Sequence, residues 1–265
     1  VDRAKNGSLH NDTLQIAKSF KWSKGPTRLH IQKEHVGIYG QWIDSWRPEP
    51  DSGELAIILE DDVDLSPLAY RWLREVHERY GRNSFISGYC LQDKNIPVVK
   101  GVYIHQEVNK IRKNLLTDYP AYFFRVAGSW GFAPHPERWR EFREWFHSPE
   151  GRAIQHPYVP DAELNTRWYK TFEGQGKEDT MWTMWFIYFT DLKGLSALVS
   201  NVPQHTGQRN QSLACNRLEP GLHFEPRKNK VNCNAQLMKS WSVEFLPRSE
   251  YLPLINYNGD FVRFA

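Results

Sequence analysis

The chain has 265 residues, with 34 Lys and Arg against 31 Asp and Glu, so its formal net charge is only +3. This length can bury a substantial core as one large domain or two small ones. The near balance of charge, without a long basic run, argues against a nucleic-acid partner. The longest apolar run, residues 181–189, is far too short to cross a bilayer, and we expect neither a membrane span nor a signal peptide within this chain.

The cysteines and glycosylation sequons favour a secretory compartment. Cys90, Cys215 and Cys233 show neither a zinc-site spacing nor a CxxC pair. Cys215 and Cys233 can close one disulfide loop, which leaves Cys90 free. Three N-glycosylation sequons begin at Asn6, Asn11 and Asn210.

The first part of the chain predicts small elements. Residues 13–20 fit a short helix and Arg28 to Ile31 a strand. The next helical pattern, which Pro48 ends, places Val36, Tyr39, Ile43 and Trp46 on one face. Gly37 and Gly40 lie within it. Either they let a ligand or a neighbouring backbone come close, or they serve helix packing.

An acidic stretch, Glu60-Asp61-Asp62-Val63-Asp64, follows the apolar run from Leu55 to Leu59. Such a run is typical of a strand buried on both faces, and ligand sites of open α/β sheets gather at the carboxyl ends of such strands. Ser66 and Pro67 then predict an N-cap and the first residue of a helix that Gly81 ends. The expected buried face of this helix consists of Leu68, Trp72, Leu73, Val76 and Tyr80.

The acidic stretch predicts a metal site. Adjacent carboxylates repel one another and are costly beside a buried strand unless a positive charge lies among them. Carboxylate oxygens suit a hard ion such as Mn²⁺ or Mg²⁺, which keeps coordination positions open for substrate phosphates. The simpler alternative is a solvated turn before a helix. An EF-hand calcium loop fits poorly, because Pro67 stands where glycine is needed and Leu73 where the bidentate Glu is needed.

A glycine loop follows the next strands. We predict strands over Ser84 to Cys90, Val98 to Ile104 and Tyr122 to Val126. The last of these leads into Ala127-Gly128-Ser129-Trp130-Gly131-Phe132, a tight backbone that carries a large ring. Trp130 can serve as a platform for one face of a sugar, or the segment is a glycine turn with a core Trp. Pro136 begins the following helix, in which Trp139, Phe142 and Phe146 share one side.

Two further segments carry candidate catalytic groups. Glu178 and Asp179 open an aromatic helix that runs from Met181 to about Asp191. The helix dipole keeps such a carboxylate ionised, as a general base must be, although it also explains an acid there structurally. After a strand over residues 195–202, His205 can ligate a metal ion or contact a phosphate. His223 is its competitor, and residues 225–265 show no chemistry.

In this order the elements resemble the core of GT-A type nucleotide-sugar glycosyltransferases. The nearest resemblance is to the inverting N-acetylglucosaminyltransferases, which include the enzyme that starts complex N-glycan synthesis and the one that acts on O-mannosyl glycans. That group carries Glu-Asp-Asp in place of the usual Asp-x-Asp, a glycine loop, an aromatic residue in the next helix, an x-Glu-Asp motif and a C-terminal histidine. The matching residues here are Glu60-Asp61-Asp62, Ala127 to Phe132, Trp139, Lys177-Glu178-Asp179 and His205.

The resemblance implies a role for each matched residue. Asp62 and His205 would bind Mn²⁺ or Mg²⁺, and Asp179 would be the catalytic base. The donor would be bound by Glu60, Asp61, Gly128, Trp130, Gly131 and Glu178. It implies an inverting transfer of a sugar such as N-acetylglucosamine from a UDP-sugar to a glycan or glycoprotein hydroxyl in the Golgi lumen.

The resemblance also implies an α/β fold of GT-A (Rossmann-like) type, with a mixed, mostly parallel sheet flanked by helices. We expect a single domain over residues 1–265, with the nucleotide-sugar and catalytic core in 1–203 and a C-terminal extension in 204–265. The family's first strand has no counterpart here, so the chain is a fragment, an N-terminal piece was removed, or another chain completes the fold. Two alternatives are a non-catalytic carbohydrate-binding or assembly protein and, with less support, a phosphoester hydrolase.

Overall fold

A computed structural model describes residues 1–60, 63–91, 118–207, 211–216, 236–240 and 246–265. The chain divides into two compact units. The N-terminal unit comprises residues 1–47 and 169–182, and the sheet unit comprises residues 48–168 and 183–265. The strand predicted over residues 98–104 lies outside the described ranges. The described helices are all too short or too polar to traverse a lipid bilayer.

In the N-terminal unit, helix α1 (Asn11–Ser19) confirms the predicted short helix, and α2 (Gly37–Ile43) confirms the second one. The strand predicted over residues 28–31 is wrong, because this segment forms no ladder. Its only described backbone pairing is with Val1, which donates to the His30 carbonyl and accepts from the Gln32 amide.

A half-buried carboxylate fixes the start of α2. The carboxylate of Asp2 accepts hydrogen bonds from the Val36 and Gly37 amides at 3.0 and 2.9 Å. Gly37 has a φ of +61°, which favours glycine. A Cβ on Gly40 would lie only 2.5 Å from Cβ of Val36. The structure therefore supports the packing explanation for Gly40.

The sheet unit contains the remaining elements. Its helices are α3 (Ala69–Tyr80), α4 (Pro136–His147), α5 (Pro149–Ala153), α7 (Thr183–Leu192) and α8 (Val202–His205), while α6 (Glu163–Glu173) contributes residues to both units. Its strands are β1 (Val63–Leu65), β2 (Ile86–Cys90), β3 (Ala121–Phe124), β4 (Phe132–Pro134), β5 (Ser196–Ser200), β6 (Gln211–Ser212), β7 (Ala214–Asn216), β8 (Gln236–Leu237), β9 (Pro253–Ile255) and β10 (Phe261–Phe264).

The main sheet has the order β10-β9-β3-β5-β2-β4, and β1 with β7 and β6 with β8 form two small sheets. The pairs β2–β5 and β3–β9 are parallel, whereas β3–β5, β2–β4 and β9–β10 are antiparallel. A mixed α/β sheet flanked by helices is thus confirmed, and it is compatible with a Rossmann-like fold. The main sheet has two parallel and three antiparallel described pairs, a more even mixture than the mostly parallel sheet that the sequence predicts.

Register assigns the two faces of the sheet to different helices. Tyr89 pairs with Ala133 on one side and with Leu198 on the other, and Phe123 continues the row. These residues share one buried cluster with the apolar side of α3. Because successive side chains alternate between faces, Gly88 points the other way, where an added Cβ would lie 2.5 Å from the Phe132 ring. Aromatic residues of α4 and α7 pack around that ring.

The apolar run from Leu55 to Leu59 is not the buried strand that the sequence predicts. Leu59 is 43% exposed, and the neighbouring residues are half-buried. A single antiparallel bridge joins Ile58 to Phe132 on β4, where the Ile58 amide donates to the Phe132 carbonyl at 2.9 Å. The segment lies next to β4 on the outer side of the main sheet, and β4 is an edge strand of only three residues. A short edge strand offers little ladder to extend, which explains the isolated bridge.

Helix α3 matches its predicted buried face, since Trp72, Leu73, Val76 and Tyr80 are all buried. It begins at Ala69, however, three residues after the predicted N-cap Ser66. The buried Ser66 hydroxyl donates to the Met238 carbonyl at 2.5 Å and accepts from the Leu68 amide at 3.0 Å. The Ser66 hydroxyl therefore donates to a carbonyl 172 residues away, and α3 begins later than the sequence predicts.

Candidate functional site

The predicted site residues of the sheet unit gather at one edge of the main sheet. This edge holds the carboxyl ends of the parallel strands β2 and β5. The antiparallel strands β4 and β3 begin there, because Cys90 pairs with Phe132 and Ser200 pairs with Ala121. We call it the carboxyl edge. In open α/β sheets ligands bind outside the carboxyl ends of strands, which is the position that the sequence predicted for the acidic stretch.

The glycine loop, residues 127–131, is tied to the end of β2 at both of its ends. The Gly128 amide donates to the Cys90 sulfur at 3.3 Å, and the Leu91 amide donates to the Gly131 carbonyl at 3.0 Å. Gly131 has a φ of +76°, and a Cβ there would lie 2.8 Å from Cβ of Ala214. Only glycine fits this position without strain, and the two hydrogen bonds hold the loop against the end of β2.

Two side chains of this region have different tasks. Burial raises the pKa of the Cys90 thiol to about 12, although the Gly128 amide opposes the rise. Cys90 therefore stays protonated at neutral pH and acts as a positioning residue for the loop, not as a nucleophile. Trp130 is 37% exposed, so its ring is available to solvent. This exposure favours the platform interpretation of Trp130 over that of a core residue.

The acidic stretch enters the carboxyl edge next to β4. Glu60 follows the bridged Ile58 by two residues and is half-buried, and its carbonyl accepts from the Val63 amide at 3.3 Å. The chain then joins β1, whose Leu65 pairs with Ala214, the residue that contacts Gly131. The segment before the stretch thus pairs with Phe132, which directly follows the glycine loop. The segment after it pairs with Ala214, which contacts Gly131 of the loop.

Asp61 and Asp62 themselves lie outside the described residues. Within the described ranges, no group of three or more His, Cys, Asp or Glu side chains forms a metal-binding cluster. The residue types of the stretch supply carboxylate oxygens, which are the ligands that a hard divalent ion prefers. The proposed Cys215–Cys233 disulfide is likewise outside the described side chains, and Cys90 is free and buried.

His205 lies at the other side of the same edge. It is the last residue of α8, its side chain is exposed, and its amide donates to the carbonyl of Asn201, which directly follows β5. The segment of Ile58, β4, β2 and β5 are successive neighbours, so about 14 Å separates the outer two backbones at roughly 4.8 Å per step. His223 is outside the described ranges.

Glu178 and Asp179 lie in the N-terminal unit, on a 3₁₀ turn (Glu178–Thr180), with exposed side chains. Two contacts fix this turn. The Tyr39 hydroxyl donates to the Glu178 carbonyl at 2.7 Å. Trp42 stacks on Trp182 with ring centroids 4.4 Å apart. These contacts hold the turn in place, and the exposed carboxylate of Asp179 is accessible to a substrate, as a general base must be.

Sequence reasoning missed three positioning residues. It left Cys90 as a spare thiol, and its hydrogen bond to Gly128 depends on a contact 38 positions away. Tyr39 and Trp42 support a turn about 140 residues downstream, a separation of 139 in the case of Tyr39. The only signal in the sequence was the glycine-containing aromatic pattern of α2, which does not name its partner.

Comparison with known proteins gives no assignment. No protein-family model matches the chain, no curated protein matches it, and no solved structure matches it.

Proposed function

We propose that this protein is a metal-dependent inverting glycosyltransferase of GT-A type. It transfers a sugar, such as N-acetylglucosamine, from a UDP-sugar to a hydroxyl of a glycan or glycoprotein in the secretory pathway. The observation that carries the proposal is the carboxyl edge. Glu60, the glycine loop with Trp130, and His205 all lie along this edge, although 145 positions separate Glu60 from His205 in the sequence.

The arrangement suits a nucleotide-sugar donor. A rigid glycine loop lets a ligand approach the backbone closely, and the exposed Trp130 ring offers an apolar face for a sugar. In the proposal, Asp62 holds Mn²⁺ or Mg²⁺, and Glu60 and Asp61 contact the nucleotide or the sugar. When bound, the ion supplies positive charge to the departing diphosphate. His205 contacts that diphosphate from the other side of the edge.

Asp179 acts as the base. Its carboxylate takes the proton of the acceptor hydroxyl while that oxygen forms a bond to the anomeric carbon. The bond from this carbon to the diphosphate oxygen breaks on the opposite face, and the diphosphate leaves with the bonding electrons. Attack and departure on opposite faces invert the anomeric configuration.

The test compares Asp179→Asn with Asp12→Asn. Both side chains are exposed acids of the N-terminal unit in the first turn of a helix or 3₁₀ turn. We expect Asp179→Asn to lower transfer from UDP-N-acetylglucosamine to sugar acceptors by about 10² to 10⁴-fold, the usual contribution of a general base. Its metal-dependent donor affinity should be unchanged. Asp12→Asn should match the wild type in both assays, and wild-type turnover in Asp179→Asn would refute the base assignment.

A second candidate, a non-catalytic carbohydrate-binding protein, is favoured by a different surface. Helices α4 and α7 bear half-exposed rings, with Trp145 stacked on Tyr188 at 5.9 Å and Phe146 packed edge-on to Trp185 at 5.4 Å. Aromatic faces of this kind bind sugars without catalysis. Glycan binding that Trp145→Ala abolishes, together with an absence of UDP binding in the presence of Mn²⁺, would favour this candidate.

A further inference from the structure

A segment of the N-terminal unit carries the net positive charge of the chain. Residues 13–33 contain five Lys and Arg and no Asp or Glu. The rest of the chain has 29 Lys and Arg against 31 Asp and Glu. This segment alone therefore accounts for the positive formal charge of the protein.

The same segment is almost entirely exposed. Every residue from 18 to 30 is exposed, and α1 has no buried residue. The exposed fractions of Ile16, Phe20 and Trp22 are 69, 55 and 57%. Ile16 and Phe20 are four positions apart and so share a helical face, which is distinct from that of the half-buried Leu14 and Ala17. Two apolar side chains, Ile16 and Phe20, thus meet solvent at the end of this helix, whose first turn carries Asp12.

Local contacts hold the aromatic residues among the lysines. The Phe20 amide caps α1 by donating to the Ile16 carbonyl at 3.0 Å. The Trp22 amide donates to the Thr27 hydroxyl at 3.3 Å, which closes the next turn. Lys18, Lys21 and Lys24 lie between or beside these two residues in the chain. We call Ile16, Lys18, Phe20, Lys21, Trp22 and Lys24 together the basic apolar surface.

The nearest acid in the sequence, Asp12 in the first turn of α1, leaves the lysines of this surface unpaired. None of its lysines forms an ion pair among the described residues. Asp2, an acid of the same unit, is committed to the Val36 and Gly37 amides. The surface therefore combines uncompensated cations with exposed rings and an aliphatic side chain.

We propose that the basic apolar surface docks the protein peripherally on an anionic membrane. Lys and Arg near an anionic leaflet are attracted to its headgroups, while Trp, Phe and Ile lodge at the boundary of headgroups and acyl chains. An acidic protein would satisfy the charges but would need its own apolar groove for three protruding side chains. A bilayer interface accepts both features at once and needs no preformed groove.

The experiment measures sedimentation of the protein with large vesicles. One set contains phosphatidylcholine alone and the other adds 30 mol % phosphatidylserine as the probe. We expect binding to the anionic vesicles, at least tenfold weaker binding to the neutral ones, and loss of binding at high salt. The triple change Lys18→Gln, Lys21→Gln and Lys24→Gln should weaken binding about 100-fold, at roughly fivefold per cation. Phe20→Ser with Trp22→Ser should weaken it about tenfold or more.

Matched controls use other exposed residues of the chain. Lys193→Gln, Lys239→Gln and Arg263→Gln remove the same charge, and Trp168→Ser removes another exposed Trp. These variants should bind as the wild type does. Equal binding to both vesicle types, an equal effect of the two charge triplets, or no vesicle binding would each overturn the proposal. Because all altered residues are exposed, unchanged circular dichroism verifies that each variant is folded.

Discussion

Replacing Gly131 by Ala tests whether the glycine loop is fixed by sterics before a ligand binds. The change has two costs. A residue with a side chain at φ +76° costs about 1–2 kcal/mol in the left-handed region. The new Cβ would also lie 2.8 Å from Cβ of Ala214, well inside ordinary carbon contact, and such overpacking costs about 1–3 kcal/mol. Together, the sheet unit should lose roughly 2–5 kcal/mol of stability.

Gly194→Ala is the matched control. Gly194 has a φ of +65°, and no atom lies within 4 Å of the Cβ that would be added. This variant should therefore cost only the backbone term of about 1–2 kcal/mol. Hydrogen exchange of the β2 and β5 amides measures both values within the sheet unit, since it does not require the two units to unfold together.

A double variant isolates the clash. In Gly131→Ala, the further change Ala214→Gly removes the atom that the new methyl group meets. The two changes should couple favourably by about 1 kcal/mol or more, as neighbours in contact do. Equal losses in Gly131→Ala and Gly194→Ala, with no coupling to position 214, would refute the steric argument for the loop.

Two other predictions concern the titration of His77 and His135 and the turn that carries Asp179. Burial lowers the pKa of His77 and of His135. The His135 ring, whose centroid lies 5.6 Å from that of His77, lowers the pKa of His77 further, whereas the hydrogen bond to the Gly81 carbonyl opposes the shift of His135. Because folded pKa values below 6.5 favour the neutral rings, stability of the sheet unit should be full above pH 6.5 and fall as the pH drops towards those lowered values. Thermal unfolding from pH 7.5 to 5 measures this, and a pH dependence unchanged in His77→Gln would contradict it. Tyr39→Phe removes the hydrogen bond to Glu178 and should cost the N-terminal unit about 0.5–1.5 kcal/mol in chemical unfolding. It should also lower transferase turnover more than donor affinity, whereas unaltered stability and turnover would show that the bond does not hold the turn.

Periodic segments could be predicted from the sequence because their own residues determine them. The face of α3 that Trp72, Leu73, Val76 and Tyr80 form is buried as expected. The position of β5 was also correct, because the apolar residues at its centre, Ala197 to Val199, are typical of a strand that is buried on both faces. The run from Leu55 to Leu59 misled the prediction, since an apolar run does not say whether its neighbours offer a ladder long enough to pair.

The residue types of the candidate site could be predicted from the sequence, but the contacts that hold them in place could not. An acidic turn, a glycine loop and a histidine can be recognised from residue types alone. Their common position at the carboxyl edge depends on strand order, which local sequence does not encode. The contacts of Ser66 with Met238, Cys90 with Gly128 and Tyr39 with Glu178 all join distant parts of the chain. Long-range hydrogen bonds of this kind leave no local pattern.

Titration calorimetry of UDP into the protein, with MnCl₂ and then with EDTA, tests the central claim most directly. The account predicts saturable heat only when Mn²⁺ is present, and its loss in Asp62→Asn. In Asp64→Asn, a neighbouring acid on β1, binding should persist. UDP binding that is independent of the metal, unchanged binding in Asp62→Asn, or no heat at all would contradict a nucleotide-sugar site at the carboxyl edge.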